Sequence, residues 1–319
     1  MNKRIRALLF ALSVVVGYGV LMRAAFGIKT LGSVMSLSFF ITVPFGMGYL
    51  TIFLSDIEDV KARSYRICAP WFPVLIFLAV TLVIKIEGWA CWFMILPFFL
   101  LFSSLGGVLA GYFKLRRHRR SNRLPLSLLF LLPFVARPLE NLISHIPGRY
   151  EAYTYTDIYS SPETIWSNVV RVREIPEAED HGSLTRFLGF PRPIRAELDY
   201  AGVGGRRQAI FSKGLVFEEV VKEYEDQKRM LFSIRADPHA IPPTTMDEHV
   251  VIGGDYFDVL DGMYRLEKLG EGHFRLHLYS HFMVRTSFNF YAGWWAGLIM
   301  KDIQNNILHV IQTRCEGKL

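Results

Sequence analysis

Apolar residues crowd the first third of the chain into four long runs, 7–26, 31–54, 68–86 and 89–113, interrupted mainly by Arg23 and Lys85. Each approaches or exceeds the roughly 20 residues that carry a helix across about 30 Å of hydrocarbon. Inside hydrocarbon every backbone N–H and C=O must bond within its own segment, so the runs predict membrane-spanning helices. The first could be read as a cleaved signal, given the basic start Met1-Asn-Lys-Arg-Ile-Arg6, but no small-x-small cleavage site follows it. A fifth stretch, Leu124–Ala136, is short for a span. Continued through Pro138 to about residue 146 it makes a fifth, with Arg137 and Glu140 at the outer interface.

From about Tyr150 the period changes to two. Residues 151–159 read as a strand, and Ser161-Pro-Glu163 opens a helix with a hydroxyl cap, proline in the first turn and an acid at the positive end of the dipole. Ile194, Ala196 and Leu198 alternate with Arg195 and Glu197, as a half-buried strand does. Further strands follow over 206–213, 215–225 and 228–236. A Pro-rich loop covers 237–249, and a last hairpin, 256–268 and 273–285, turns at Gly270-Glu-Gly272. A helix from about Phe288 to Cys315 closes the chain, its apolar stripe running Trp294, Leu298, Ile299, Ile303, Ile307, Val310 and Ile311. Strands, short helices, more strands and one long helix make an α+β order. The expected architecture is thus a transmembrane helical bundle of four or five spans (1–146) followed by an α+β domain (147–319).

Composition agrees with that division. The chain is 51% hydrophobic and only 20% charged, with mean hydropathy +0.25. Of its 36 basic residues, 16 lie in 1–146 against 5 acids, whereas the remainder holds 20 against 24. The high pI therefore belongs to the apolar half, and the folded polar half is mildly acidic, which excludes nucleic acid as the expected partner. Three cysteines are too few for a disulfide framework or a zinc site. Basic residues collect before the first run, between the second and third (Lys61, Arg63, Arg66) and in Lys114–Arg123, so the amino terminus and those loops are expected in the cytoplasm. With five spans the carboxyl-terminal domain emerges on the far side, as in a periplasmic domain of a bacterial inner-membrane protein; with four it stays cytoplasmic. Intramembrane charge is too sparse for a transport pathway. Gly107-x-x-x-Gly111 could admit another helix and so a homo-oligomer.

Three segments carry a resemblance. Ile158-Tyr-Ser-Ser-Pro-Glu-Thr-Ile-Trp166, Gly205-Arg-Arg-Gln-Ala-Ile-Phe-Ser-Lys-Gly214 and Asn289-Phe-Tyr291…Trp295…Ile303-Gln…Ile307-Leu308 together resemble the START-like polyketide cyclase/dehydrase superfamily (SRPBCC, helix-grip fold) over about residues 150–316. The resemblance implies a curved antiparallel sheet gripping the last helix, with a cavity for lipids, sterols or polyketides and no shared catalytic set. A membrane-anchored module binding an apolar small molecule follows. The alternatives are a cyclase/dehydrase-type enzyme and a sensor or scaffold without catalysis.

The aromatic residues expected to face that cavity are Trp166, Phe211, Phe217, Phe232, Phe282, Tyr291, Trp294 and Trp295. His273, His277 and His281 invite a metal, but on a strand each would lie about 13 Å from the next along the solvated face, so no metal is expected. Asp258 and Asp261 fall on opposite faces of a regular strand and make no acid pair. No phosphate loop, dinucleotide fingerprint or Gly-x-Ser-x-Gly occurs, and no cofactor or catalytic residue is implied.

Overall fold

A computed structural model describes residues 3–28, 35–116, 131–136, 140, 148–236 and 252–317. The chain divides into two compact units, Met1–His145 and Ile146–Leu319.

The first unit is helical: α1 (Lys3–Gly27), α2 (Leu37–Leu54), α3 (Ile57–Lys61), α4 (Arg63–Cys68), α5 (Trp71–Val83) and α6 (Trp89–Arg116). Four helical stretches, Arg4–Gly27, Leu37–Leu54, Arg63–Val83 and Trp89–Arg116, are long and apolar enough to cross a membrane. Small residues sit where backbones meet. A Cβ on Gly48 would lie 1.8 Å from the Ser103 carbonyl oxygen, and one on Gly106 would lie 2.0 Å from that of Phe45, so glycine sets the α2–α6 approach. Gly107 and Gly111 pack against Arg66 of α4, so the face expected to receive another helix is already covered by this chain. Phe10, Phe72, Leu101 and Leu105 point outward and are exposed.

Polar contacts mark the two ends of this unit. At one end Arg4 Nη2 meets Asp59 Oδ1 at 3.2 Å, and Lys114 Nζ donates to the carbonyls of Ile52 and Phe53 at the carboxyl end of α2. At the other, Arg23 and Glu87 form a buried ion pair. There the Glu140 carboxylate accepts from the Leu37 and Ser38 amides at 2.8 and 3.0 Å, filling the positive amino end of α2. Arg116 and Glu140 therefore lie toward opposite ends of α2, which is about 27 Å long at 1.5 Å per residue. The expected fifth span, 124–146, falls largely outside the described residues; within it, 131–136 and Glu140 are helical.

The second unit runs β1 (Gly148–Tyr159), α7 (Pro162–Val170), α8 (Leu184–Leu188), β2 (Pro193–Leu198), β3 (Arg206–Phe211), β4 (Val216–Glu225), β5 (Arg229–Ala236), β6 (Phe257–Gly270), β7 (His273–Val284) and α9 (Asn289–Cys315). Ser161 Oγ accepts from the Thr164 amide at 3.2 Å, the cap that opens α7. All strands are antiparallel in the order β1-β7-β6-β5-β4-β3-β2, a curled sheet with α9 packed on β1 and β7. This is a helix-grip fold.

Register sorts the side chains. Ala152, Thr154 and Ile158 of β1 lie across from Ser280, Leu278 and Phe274 on the inner face, while Tyr153, Tyr155 and Asp157 share the outer face with Tyr279, His277 and Arg275. A bulge in β6 between Val259 and Asp261 resets the alternation. Asp258 and Asp261 consequently both fall on the outer face, across from Met283 and His281, which corrects the regular-strand expectation. Asp261 then reaches His281 Nδ1 at 2.5 Å.

Candidate functional site

The inner face of β3 and β4 carries a buried charge pair inside an apolar lining. Period two places Arg207 with Ala209 and Phe211 on β3, and Glu219 with Phe217 and Val221 on β4; the register sets Arg207 directly across from Glu219. Arg207 Nη1 donates to Glu219 Oε2 at 2.6 Å, and both side chains are buried. The guanidinium lies 5.5 Å from the Phe232 ring centre and 5.8 Å from that of Tyr264. Arg207 Nη2 faces the Val169 carbonyl, near the negative end of α7, at 3.5 Å. Arg207 Nε is buried with no hydrogen-bond partner among the described residues.

Burial works against the Arg207 charge, but Glu219 and Tyr264 more than offset it, so the guanidinium stays protonated. Burial also raises the Glu219 carboxyl above the usual carboxylate range, with Arg207 restraining the rise. The Tyr264 hydroxyl is raised by burial as well. A fixed cation with a spare donor, beside a carboxyl and a phenol, can hold an anionic or carbonyl oxygen in otherwise apolar surroundings.

Of the eight aromatic residues expected to line the interior, four come together here. Phe211 and Phe217 meet edge to face at 5.1 Å, Phe232 lies 6.0 Å from Tyr264, and Trp166 Nε1 donates to Tyr224 Oη at 3.0 Å. These side chains share one core cluster with Leu308, Val310 and Ile311 of α9. Phe282 belongs to a second cluster, with Ala152, Val284 and the amino-terminal half of α9. A polar belt lies in the helix–sheet interface: Gln304 donates to the Ala152 carbonyl (3.1 Å) and Ser280 Oγ (2.9 Å) and accepts from Thr154 Oγ1 (3.1 Å). Tyr291 and Trp295 are half-buried. Trp294 is 54% exposed, because Gly293 and Ala296 take the sheet-facing side and the intervening residue is turned away.

A cavity of about 330 Å³ opens at the edge strand, between Tyr155 and Thr156 of β1, His181, and Asp302, Asn306 and His309 of α9. Its lining is polar and largely committed. Asp302 accepts from the Thr185 amide and hydroxyl at 2.9 and 2.7 Å; burial would raise its pKa, but these bonds prevail and lower it. Asn306 bonds the His181 amide and Asp180. It differs from the apolar space expected around Phe211 and Phe217.

The three histidines of β7 lie on the outer face, as their spacing implies. His277 is more enclosed than a solvated face suggests: its ring nitrogens meet Tyr153 Oη and Glu267 Oε2, both at 2.9 Å. Nothing in the residues around Arg207 and Glu219 marks them as a pair, although their positions two residues from Ala209 and Val221 place each on the apolar face of its strand.

By strand order and closing helix this unit has the helix-grip arrangement. Solved structures similar to it include a START superfamily protein from Mycobacterium smegmatis, 12% identical, covering 54% of this chain and 100% of that one with a TM-score of 0.34. An aromatase/cyclase from Streptomyces is 10% identical over 54% and 96%, with a TM-score of 0.35. A truncated norcoclaurine synthase from Thalictrum flavum is 11% identical over 53% and 95%, with a TM-score of 0.34. No protein-family model and no curated protein matches the chain.

Proposed function

We propose that the protein is a membrane-anchored binding module whose helix-grip domain takes an apolar ligand bearing one anionic or carbonyl end, on the side of the membrane opposite the amino terminus. The buried Arg207–Glu219 pair carries this reading. Burying an ion pair among Phe232, Tyr264 and Val169 contributes little net stability compared with an apolar filling of the same shape, so a recognition role accounts for it better than a packing role. The unpartnered Nε of Arg207 supplies the donor that a ligand oxygen would use.

The helical unit supports that side. Basic loops put the amino terminus and the carboxyl end of α6 in the cytoplasm. Glu140 caps the other end of α2, whereas Lys114 reaches its carboxyl end, and this supports the reading of a further crossing before β1. That reading makes 124–146 the fifth span.

The test is mass spectrometry of lipid and small-molecule extracts from the purified full chain, compared with Arg207→Met. One apolar species near one-to-one stoichiometry, lost in the variant, is expected. Wild-type protein that carries no such species, in extracts where detergent and bulk lipid are accounted for, overturns binding. A protease-accessibility assay in sealed inverted vesicles tests sidedness: cleavage of the domain from the cytoplasmic face overturns it.

A further inference from the structure

The amino-terminal half of α9 carries an apolar stripe on its outward side. Phe290 (67% exposed), Trp294 (54%) and Leu298 (36%) recur every four residues and so share one face. Trp294 is backed by Tyr291 and Trp295, with ring centres 6.1 and 5.0 Å away. One turn on, Lys301 is exposed and long enough to reach past the stripe to water or phosphate. Phe, Trp, Tyr and Leu backed by a snorkelling lysine form the composition that settles at a bilayer's polar–apolar boundary.

The tether selects a bilayer as the occupant. Tyr150 Oη donates to the Asn289 carbonyl at 2.8 Å, and a Cβ on Gly293 would lie 2.3 Å from the Tyr150 ring, so this end of α9 is clamped to the start of β1. Strand β1 begins at Gly148, eight residues after Glu140, which caps the amino end of a helix long enough to span a membrane. Eight residues reach at most about 29 Å, less than the thickness of one bilayer. Chain length alone thus keeps the start of β1, and the end of α9 clamped to it, within about 29 Å of Glu140.

We propose that Phe290, Trp294 and Leu298 dock in the headgroup region of the bilayer that anchors the chain. The proposal rests on the membrane reading above and is independent of ligand binding, since an empty cup leaves the stripe unchanged.

Spin labels test it in the full chain reconstituted in liposomes. Labels go on Phe290→Cys, Leu298→Cys, Asn305→Cys and Leu101→Cys, in a background with Cys68, Cys91 and Cys315 changed to Ser. The expected result is that positions 290 and 298 collide more with lipid-dissolved oxygen than with a water-soluble nickel chelate, and position 305 the reverse. Nickel preference at 290 and 298 overturns docking, as does exclusion of both reagents there, which would mean a protein partner or a second copy. Position 101 reports the membrane reading separately: oxygen preference there with nickel preference at 290 sinks only the docking proposal. Should the cysteine-free chain not fold, wild type is compared with Trp294→Gln in vesicles of lipids brominated near the headgroup. The variant should lose part of the lipid-quenched tryptophan emission, and an unchanged quenched fraction overturns the proposal.

Discussion

Arg207 of β3 and Glu219 of β4 face each other across adjacent strands, 2.6 Å apart and out of contact with water. Removing one partner leaves a buried charge without its counter-ion, which costs about 3–5 kcal/mol. Arg207→Met should therefore lower the unfolding midpoint of the carboxyl-terminal unit sharply, and the double change Arg207→Met/Glu219→Leu should recover most of the loss. Denaturant unfolding in detergent, followed by near-ultraviolet circular dichroism, reads both. A double variant no better than the single one would show that the pair contributes by packing.

Trp166 and Tyr224 join α7 to β4 through one hydrogen bond of 3.0 Å. Trp166→Phe keeps a ring in the core and removes the donor, so a loss of about 1 kcal/mol beyond the change in buried area is expected. Tyr224→Phe removes the same bond from the other side. If the two single variants and the double cost the same bond only once, the coupling is direct; additive losses would refute it.

His277 and His281 should titrate in opposite senses. Burial lowers His277, with Glu267 partly opposing, whereas the bond to Asp261, aided by Glu151, raises His281. Relative to the unfolded value of 6.5, His277 takes its proton late as pH falls, so its contribution to stability is lost as pH drops below 6.5 through its folded pKa. His281 contributes fully below 6.5, and loses that contribution as pH rises through its raised folded pKa. Histidine ring resonances followed by NMR should give midpoints on either side of 6.5. Two midpoints on the same side would contradict this outer-face arrangement.

Gly48 and Gly106 set how closely α2 and α6 pack, each against a backbone carbonyl that has no room to yield. Gly48→Leu and Gly106→Leu should each force the helices apart, with a cost at the upper end of the 1–3 kcal/mol seen for overpacking or beyond it. Thermal aggregation of the detergent-solubilised chain should shift to lower temperature in both. Gly17→Ala, where a Cβ meets nothing within 4 Å, is the control and should leave it unchanged.

Much of this fold was legible because it is written in local periods. Leu276, Leu278, Phe282 and Val284 alternate with polar neighbours and lie on the inner face, and Ser161 opens α7 as its position before proline implies. What escaped was non-local. The β6 bulge shifts Asp261 by one position, and nothing in the neighbouring residues announces it. Arg207 reads as one more charged residue until the β3–β4 register sets Glu219 opposite. The aromatic pattern places Trp294 in the interior with Trp295, yet adjacent helical residues point about 100° apart, and the sheet takes the side of Gly293 and Ala296.

The Arg23–Glu87 pair bears on how the polypeptide is made. The first hydrophobic segment carries a guanidinium that pairs with a carboxylate translated 64 residues later. A lone arginine costs insertion machinery about 2.5–3.5 kcal/mol at a segment's centre and less near its end. Under the membrane reading, that segment's cation meets the Glu87 carboxylate only once Glu87 has left the ribosome. Biogenesis of the amino-terminal bundle is in this sense a delayed neutralisation, completed by the turn between the third and fourth hydrophobic segments.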